Sequence, residues 1–355
     1  MIYSIYPIKD TTIYEKYPYI NVGIDSILDL SYTPKDATSS YESRALLKFD
    51  LNSFPTESLP TSSQYYLNLY VSELNEIPYI YEIHVHPISS TWDMGIGKYD
   101  NIPTETEGCT WYNRNINDKW LTGSFPINTT ASWNTNVGGG NWSTLSDLSQ
   151  SCEYSASDVR INITDVVNLW KNNTIDNNGI LIRYTKENNQ VCLTTSSLKY
   201  FSKETHTIYS PKLEVCWDDS TYTTPISKSL FDENSLYTLY IKNLEREYIK
   251  DDNVKIIIIG REKYQQRTYA TQSVYLTQSV LPSTSYYAVK DYKTEEFIIP
   301  FDTTYTKISY DNSNNYFKLK MQSLQPERYY RFLFRIDFEN TSKIYDNDYI
   351  FKIIR

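Results

Sequence analysis

The sequence predicts an all-β protein of two domains, on three observations. Tyrosine occurs 35 times beside 12 phenylalanines and 7 tryptophans, against only 10 glycines and 14 prolines, so the apolar material is largely aromatic and β-branched, which suits sheet. Short strand-like runs recur from end to end with turn residues between them. The length, 355 residues, gives each of two domains enough chain to bury a core without disulfides.

Taken in order, the first expected strands are Ser4–Ile8, Ile27–Leu30 and Ala45–Asp50, with a turn at Asn21-Val-Gly23. In "YYLNLYV", Tyr65, Leu67, Leu69 and Val71 fall on one face and Tyr66, Asn68 and Tyr70 on the other, the pattern of a half-buried antiparallel sheet. Tyr81–Pro87 follows. Between about residues 90 and 151 the pattern gives way to long loops rich in Asn, Thr and Gly that hold five of the seven tryptophans, Trp92, Trp111, Trp120, Trp133 and Trp142. An insert of this length inside a compact domain is expected to serve binding or assembly. Strands resume at Val159–Ile163, Gly179–Tyr184 and Leu213–Trp217. They frame one short helix, "ITDVVNLWK", with Thr164 or Asp165 as cap and Val166, Leu169 and Trp170 at helical spacing.

The polar stretch at residues 216–229 marks a boundary, giving domains 1–217 and 218–355. Beyond it the expected strands are Ser235–Ile241, Val254–Gly260, Thr268–Leu276, Tyr286–Asp291, Glu296–Phe301, Tyr316–Met321, Tyr329–Phe338 and Tyr349–Ile354, a number that fits a small sandwich. In "LQPERYYRF", Leu324, Pro326 and Tyr330 are spaced as in the corner of fibronectin-like sandwiches, where the Tyr hydroxyl bonds back to nearby backbone.

Charge narrows the function classes. Residues 1–217 carry 15 Lys and Arg against 24 Asp and Glu, and residues 218–355 carry 19 of each, so the whole excess behind the net charge of −9 lies in the first domain. Neither domain has the positive balance of a general nucleic-acid binder. No run approaches the roughly 20 apolar residues of a membrane span, and Met1 leads into a strand-like segment without a basic or apolar leader, so no ordinary export signal is expected. Cys109, Cys152, Cys192 and Cys216 lack C-x-x-C spacing and read as reduced thiols in a cytoplasmic setting, not as a zinc site.

The known catalytic and nucleotide motifs, G-x-S-x-G, H-E-x-x-H, the P-loop and G-x-G-x-x-G, do not occur, and neither a catalytic residue nor a cofactor is expected. Glu82, His84 and His86 project from one face of a strand, a geometry a metal could use, although solvated or hydrogen-bonded side chains explain it more simply. Acidic residues such as Asp25 and Asp93 offer oxygen ligands for a structural Ca²⁺. "VGGGN", Val137–Asn141, lacks the Lys-Ser/Thr of a phosphate cradle and reads as a flexible turn. Three readings stand for Trp111, Tyr112, Trp120, Trp133 and Trp142: rings that plug the sandwich beneath long loops, anchors of a protein interface, or platforms for a glycan, whose apolar sugar faces stack on aromatic rings.

Several segments in order resemble a known family. They are "YPIKDTTIYE…NVGID…LDL", "SRALLKFDL", "YYLNLYV", "STWDMGIGKYDN", "CTWYN" and "INITDVVNLWKNNTIDNNGILIRY", and together they are similar to the DNRLRE-type jelly-roll module over about residues 1–217. Some members of that family are carbohydrate-binding modules on secreted enzymes. The chain is more similar to a subgroup among virion proteins of tailed bacteriophages, a likeness that continues through "FSKETHTIYSPKLEVCWDD" and "LQPERYYRF". The resemblance implies an N-terminal jelly-roll β-sandwich followed by an immunoglobulin- or fibronectin-like one. It also implies a non-enzymatic neck, collar or tail ring protein, present in several copies, with other virion proteins and itself as partners and with neither nucleic acid nor membrane. The alternative is a carbohydrate-binding adhesion module that attaches a particle or cell to host glycan.

Overall fold

The computed structural model describes residues 1–36, 39–52, 59–77, 80–120, 133–135, 138–143, 148–153, 158–186, 195–225, 230–264 and 278–355. The chain is all-β and divides into two compact units, one of Ile5–Ser58 and Gln64–Val215, the other of Met1–Ser4, Leu59–Ser63 and Cys216–Arg355. The division therefore falls between Val215 and Cys216, with two short N-terminal segments grouped with the C-terminal unit.

In chain order the first elements are β1 (Ile2–Ile5), β2 (Pro7–Tyr14), β3 (Ile27–Pro34), β4 (Ser40–Phe49), β5 (Gln64–Leu69), β6 (Val71–Asn75) and β7 (Ile80–Pro87). After them come β8 (Trp133–Thr135), β9 (Asn141–Ser143), β10 (Leu148–Glu153), β11 (Val159–Asn162), α1 (Thr164–Lys171), β12 (Ile180–Lys186), β13 (Ser196–Phe201) and β14 (Lys212–Cys216). The larger sheet of the N-terminal unit runs β10-β7-β12-β4-β3-β13-β6, with β2 also paired to β4. In the smaller sheet β14, β5 and β11 lie side by side. Ala45, Leu47, Ile83, Val85, Ile180 and Ile182 of the large sheet are buried, as are Leu67, Leu69, Val159, Ile161, Leu213 and Val215 of the small one, which gives a jelly-roll-like sandwich.

"YYLNLYV" is not one strand. Tyr65, Leu67 and Leu69 are buried in β5, but the chain crosses to the other sheet at Tyr70, and Val71 opens β6 against β13. A corner where a strand changes sheets keeps its alternation in sequence, which is why the run looks continuous. The helix is present with Val166, Val167 and Trp170 buried, but Ile163 occupies the cap position without a side-chain bond. Thr164 is engaged elsewhere: its hydroxyl accepts from the Tyr65 amide at 2.9 Å and donates to Asn162 Oδ1 at 2.6 Å.

The C-terminal unit comprises β15 (Tyr237–Ile241), β16 (Glu247–Ile249), β17 (Asn253–Glu262), β18 (Ser285–Asp291), β19 (Phe297–Ile299), β20 (Ser309–Tyr310), β21 (Asn315–Lys320), β22 (Tyr329–Asp337) and β23 (Ser342–Ile354). Its sheets run β15-β17-β21-β20 and β16-β23-β22-β18-β19, all antiparallel except the β16–β23 pair. The expected strand at Thr268–Leu276 lies outside the described residues. Aromatic rings join the sheets: Tyr287 stacks on Phe317 at 4.0 Å, Phe317 meets Phe332 edge-on at 5.5 Å, and Phe332 stacks on Phe351 at 4.4 Å. The tyrosine corner is formed, with Leu324 and Tyr330 buried and the Tyr330 hydroxyl donating to the Gln325 carbonyl at 2.9 Å. Tyr330→Phe removes that bond at nearly constant volume and lowers the stability of this unit by about 1 kcal/mol, read by urea unfolding; an unchanged midpoint would show that the corner bond contributes nothing.

One buried carboxyl gives the N-terminal unit a pH response. Asp10 on β2 is buried, and its Oδ2 accepts from the Lys203 amide at 2.6 Å while Oδ1 has no hydrogen-bond partner among the described residues. Burial raises its pKa to about 7, against the opposing pull of Lys203. A folded pKa above the unfolded one contributes stability that is complete below the unfolded value of 3.8 and is lost as pH rises through about 7. Burial also raises Glu15, Asp25 and Asp29 in the same unit. The unfolding midpoint of this unit therefore rises between about pH 8 and about pH 5, and Asp10→Asn flattens that rise; a midpoint that falls over this interval contradicts the assignment.

Candidate functional site

The tryptophan-rich loops form a third layer. Residues on β2, β4, β7 and β12 that point away from the sandwich interior include Ile13, Leu46, His86 and Leu181, and all are buried. Ile13, Leu46 and Leu181 cluster with Ile88, Trp92, Cys109, Trp111, Trp120 and Trp142. The described parts of these loops thus roof the outer face of the large sheet over β2, β4, β7 and β12, and that part of the sheet is covered on both sides.

Arg44 on β4 holds this roof. Its guanidinium lies 4.8 Å from the Trp111 ring and 4.5 Å from the Trp142 ring, donates to the Gly139 carbonyl at 2.6 Å, and pairs with the Glu42 carboxylate. A buried cation needs this many partners, because desolvation without them is costly. Gly138, Gly139 and Gly140 all have positive φ, and a Cβ on Gly139 would meet the Arg44 Nη1 at 2.4 Å. The triplet expected as a flexible turn is a close-packed piece of backbone, glycine because nothing larger fits.

Asn21 staples the loop at residues 93–109. Its Nδ2 donates to the carbonyls of Met94 and Cys109, each at 2.8 Å, and its Oδ1 accepts from the Gly97 amide at 2.9 Å and the Gly23 amide at 3.2 Å. All four hydrogen-bonding positions of a fully buried amide are used. Trp92 Nε1 donates to the Asn178 carbonyl and Trp120 Nε1 to the Thr110 carbonyl, both at 2.9 Å.

These positions correct the surface readings of the tryptophans. Trp111, Trp120 and Trp142 are at most 6 % exposed, so their faces are spent on Arg44 and the sheet and are closed to a glycan or a partner. Tyr112 is half-buried, its ring edge-on to Tyr19 at 5.4 Å. Of Trp133 only the backbone is described, in a short pairing of β8 with β9. His84 and His86 do share a face, stacked at 6.1 Å, but His86 lies under Trp142 and His84 pairs with Glu82 at 3.0 Å. Asp93 faces Lys9 at 3.4 Å, and Asp25 accepts from the Tyr99 amide at 3.2 Å. Among the described residues no three His, Cys, Asp or Glu side chains are grouped to hold a metal. Cys109, Cys152 and Cys216 are buried, and burial pushes the Cys109 thiol well above its usual range; Cys192 lies outside the described residues.

Beyond the roof the same unit leaves two adjoining cavities open, of about 500 and 250 Å³. Their floor is β3, β13 and β6, where register sets two cross-strand rows, Asp29–Lys199–Glu73 and Ser31–Ser197–Asn75. Tyr14 and Tyr99 line both cavities and Tyr17 the smaller one. Tyr99 meets Tyr14 and Tyr17 edge-on at 5.3 and 5.8 Å. Sequence reading missed this groove because its residues come from separate segments spread between Tyr14 and Lys199.

In comparisons with known proteins, no family model matches the chain and no curated protein matches it. Its own residues carry the rest. Arg44→Met keeps bulk but removes the cation between the two indoles and strands the Glu42 carboxylate and the Gly139 carbonyl. It destabilises the N-terminal unit by roughly 3 kcal/mol. Six of the seven tryptophans belong to that unit, so the fluorescence change in urea reports it selectively. Arg44→Lys recovers only part of the loss, since an ammonium lacks the planar fork that reaches both the Gly139 carbonyl and the Glu42 carboxylate. A change under about 0.5 kcal/mol in the Met variant contradicts the anchoring role.

Proposed function

We propose that the protein is a non-enzymatic structural component of a tailed-bacteriophage virion, a neck, collar or tail ring protein present in several copies. The ordered resemblance of the N-terminal segments to the DNRLRE-type phage subgroup supports this reading. The structural observation that carries it is an exposed aromatic edge on the C-terminal unit. Phe297 lies on the edge strand β19, and Tyr292 in the β18–β19 turn bonds through its amide to the Tyr329 carbonyl at 2.9 Å. The three rings are 45, 45 and 54 % exposed for Phe297, Tyr292 and Tyr329. An apolar edge strand is ordinarily blunted by charge or covered by a neighbour. Closed rings are built from heterologous contacts, in which one surface of a copy meets a different surface of the next, and aromatic rings dominate such contacts.

The glycan reading loses its original platforms, because the described tryptophans of the loop region are buried. Immunogold electron microscopy of particles from the source culture, with antibody against the full chain, gives label concentrated at the neck or tail. In solution the purified chain gives closed rings in negative stain, and Phe297→Asp shifts it toward monomer. Unlabelled virions together with a chain that stays monomeric at high concentration would sink the virion reading.

A further inference from the structure

We infer that Lys212, Glu214 and Asn68 form a self-modification site, at which the Lys212 amine displaces ammonia from the Asn68 carboxamide and ties β14 to β5 by an isopeptide bond. The site is independent of the virion reading and lies on the outer face of the small sheet.

Strand order brings the three side chains together. β14, β5 and β11 lie side by side with β5 in the middle. Leu213 and Val215 of β14 and Leu67 and Leu69 of β5 are turned into the core, so Lys212, Glu214 and Asn68, which alternate with them, share the outer face. Asn68 stands opposite Arg160 on β11, and Arg160 Nη2 reaches Glu214 Oε2 on β14 at 3.5 Å. That contact spans β5, so Asn68 lies between its two partners, and its carboxamide hydrogen-bonds to the Glu214 carboxylate. Lys212 Nζ is 2.9 Å from the other oxygen of the same carboxylate, Oε1.

The surroundings are dry. Lys212, Glu214 and Asn68 are 6, 7 and 7 % exposed, although they lie on the side of the sheet away from the core. The Tyr70 ring stands 5.8 Å from Lys212 Nζ, and the Tyr66 ring lies 3.8 Å from the Arg160 guanidinium. Asn68 Nδ2 also donates to the Tyr66 carbonyl at 3.2 Å, which fixes the plane of the carboxamide. A buried ion pair adds little to stability over apolar residues of the same size, so stability alone does not account for a lysine, a glutamate and an asparagine here.

Burial opposes the charge on both Lys212 and Glu214, and their mutual attraction outweighs it, so the pair rests ionised with the lysine above its ordinary pKa and the glutamate below. Attack needs the neutral amine, which is one proton transfer away along the 2.9 Å contact. A dry site narrows that gap, because the neutral amine and carboxylic acid have no charge to desolvate. The amine lone pair then forms a bond to Asn68 Cγ. Glu214 passes its proton to Nδ2 and takes one from the attacking nitrogen as the Cγ–Nδ2 bond breaks. Ammonia leaves, an amide remains, and no oxidant or further reactant is consumed.

The intact mass of the purified full chain, measured after denaturation, tests the bond. The expected mass lies below the sequence sum by one ammonia, about 17 Da, and a tryptic digest yields a branched peptide in which Lys212 is joined to Asn68. Lys212→Arg and Asn68→Ala each show their full sequence mass, and so does Glu214→Gln, which keeps both reacting groups but not the proton carrier. The linked chain melts about 10 °C above the Lys212→Arg variant, since the bond closes the long loop between Asn68 and Lys212. A wild-type chain that keeps its full sequence mass through prolonged incubation at neutral pH overturns the inference, whatever the variants do. Loss of ammonia without a branched peptide, as succinimide formation at Asn178-Gly179 would give, overturns it equally. A link that still forms in Glu214→Gln overturns the site as described.

Discussion

A guanidinium clamped between two indoles governs the N-terminal unit. Arg44 gives up its water to lie between Trp111 and Trp142, and its charge is compensated by two ring faces, the Gly139 carbonyl and the Glu42 carboxylate. Each desolvated cation–ring contact is worth about 2 kcal/mol, while a buried unpaired charge costs more than either contact returns. The partners come from β4 and from two separate loops, so none can move without uncovering the cation. That interdependence makes the described parts of a long, glycine-containing insert into one layer. It also dictates local composition: the backbone at Gly139 approaches so closely that a side chain there would displace the guanidinium.

Roof and groove are one construction. The large sheet is wide, and the tryptophan layer covers only the part built on β2, β4, β12 and β7. Over β3, β13 and β6 the outer face stays open and becomes polar. The loop that brings Trp92 into the roof continues to Tyr99, which walls the groove, and Asn21 pins both through carbonyls and amides on either side. Glu42 belongs to both regions, bonded to Arg44 while lining the smaller cavity. Stability of the covered half therefore sets the geometry of the open half.

The all-β class was legible because alternation and aromatic content are local properties, and the tyrosine corner because Leu324, Pro326 and Tyr330 lie within one turn of chain. What escaped had non-local causes. Nothing in "YYLNLYV" signals that Tyr70 is a corner between sheets, since β-periodicity carries no information on which sheet a strand joins. The serine and charged rows of the groove are aligned only by the register of three strands. The tryptophans were visible as a group, and plugging beneath loops was one of their three readings. Arg44 was the signal that could have chosen among them: the arginine of "SRALLKF" projects from a strand on the side of Leu46, where a bare cation cannot be buried without rings or carboxylates to meet it.

The two units spend the same residue types differently. In the C-terminal unit Tyr287, Phe317, Phe332 and Phe351 run in contact through the sandwich, so aromatic area is used inside, and three of the exposed rings, Tyr292, Phe297 and Tyr329, lie near the β18–β19 edge. In the N-terminal unit Trp92, Trp111, Trp120 and Trp142 lie outside the sandwich, over the sheet, and the exposed Tyr17 and Tyr99 stand beside a polar floor. A tyrosine at a wet boundary keeps one polar end in water while its ring covers apolar surface. A phenylalanine on a strand edge has no such end and is best served by another apolar surface. The exposed rings of the two units therefore differ in setting: tyrosines over a polar, concave floor on the first, and Phe297 with two tyrosines at a strand edge on the second.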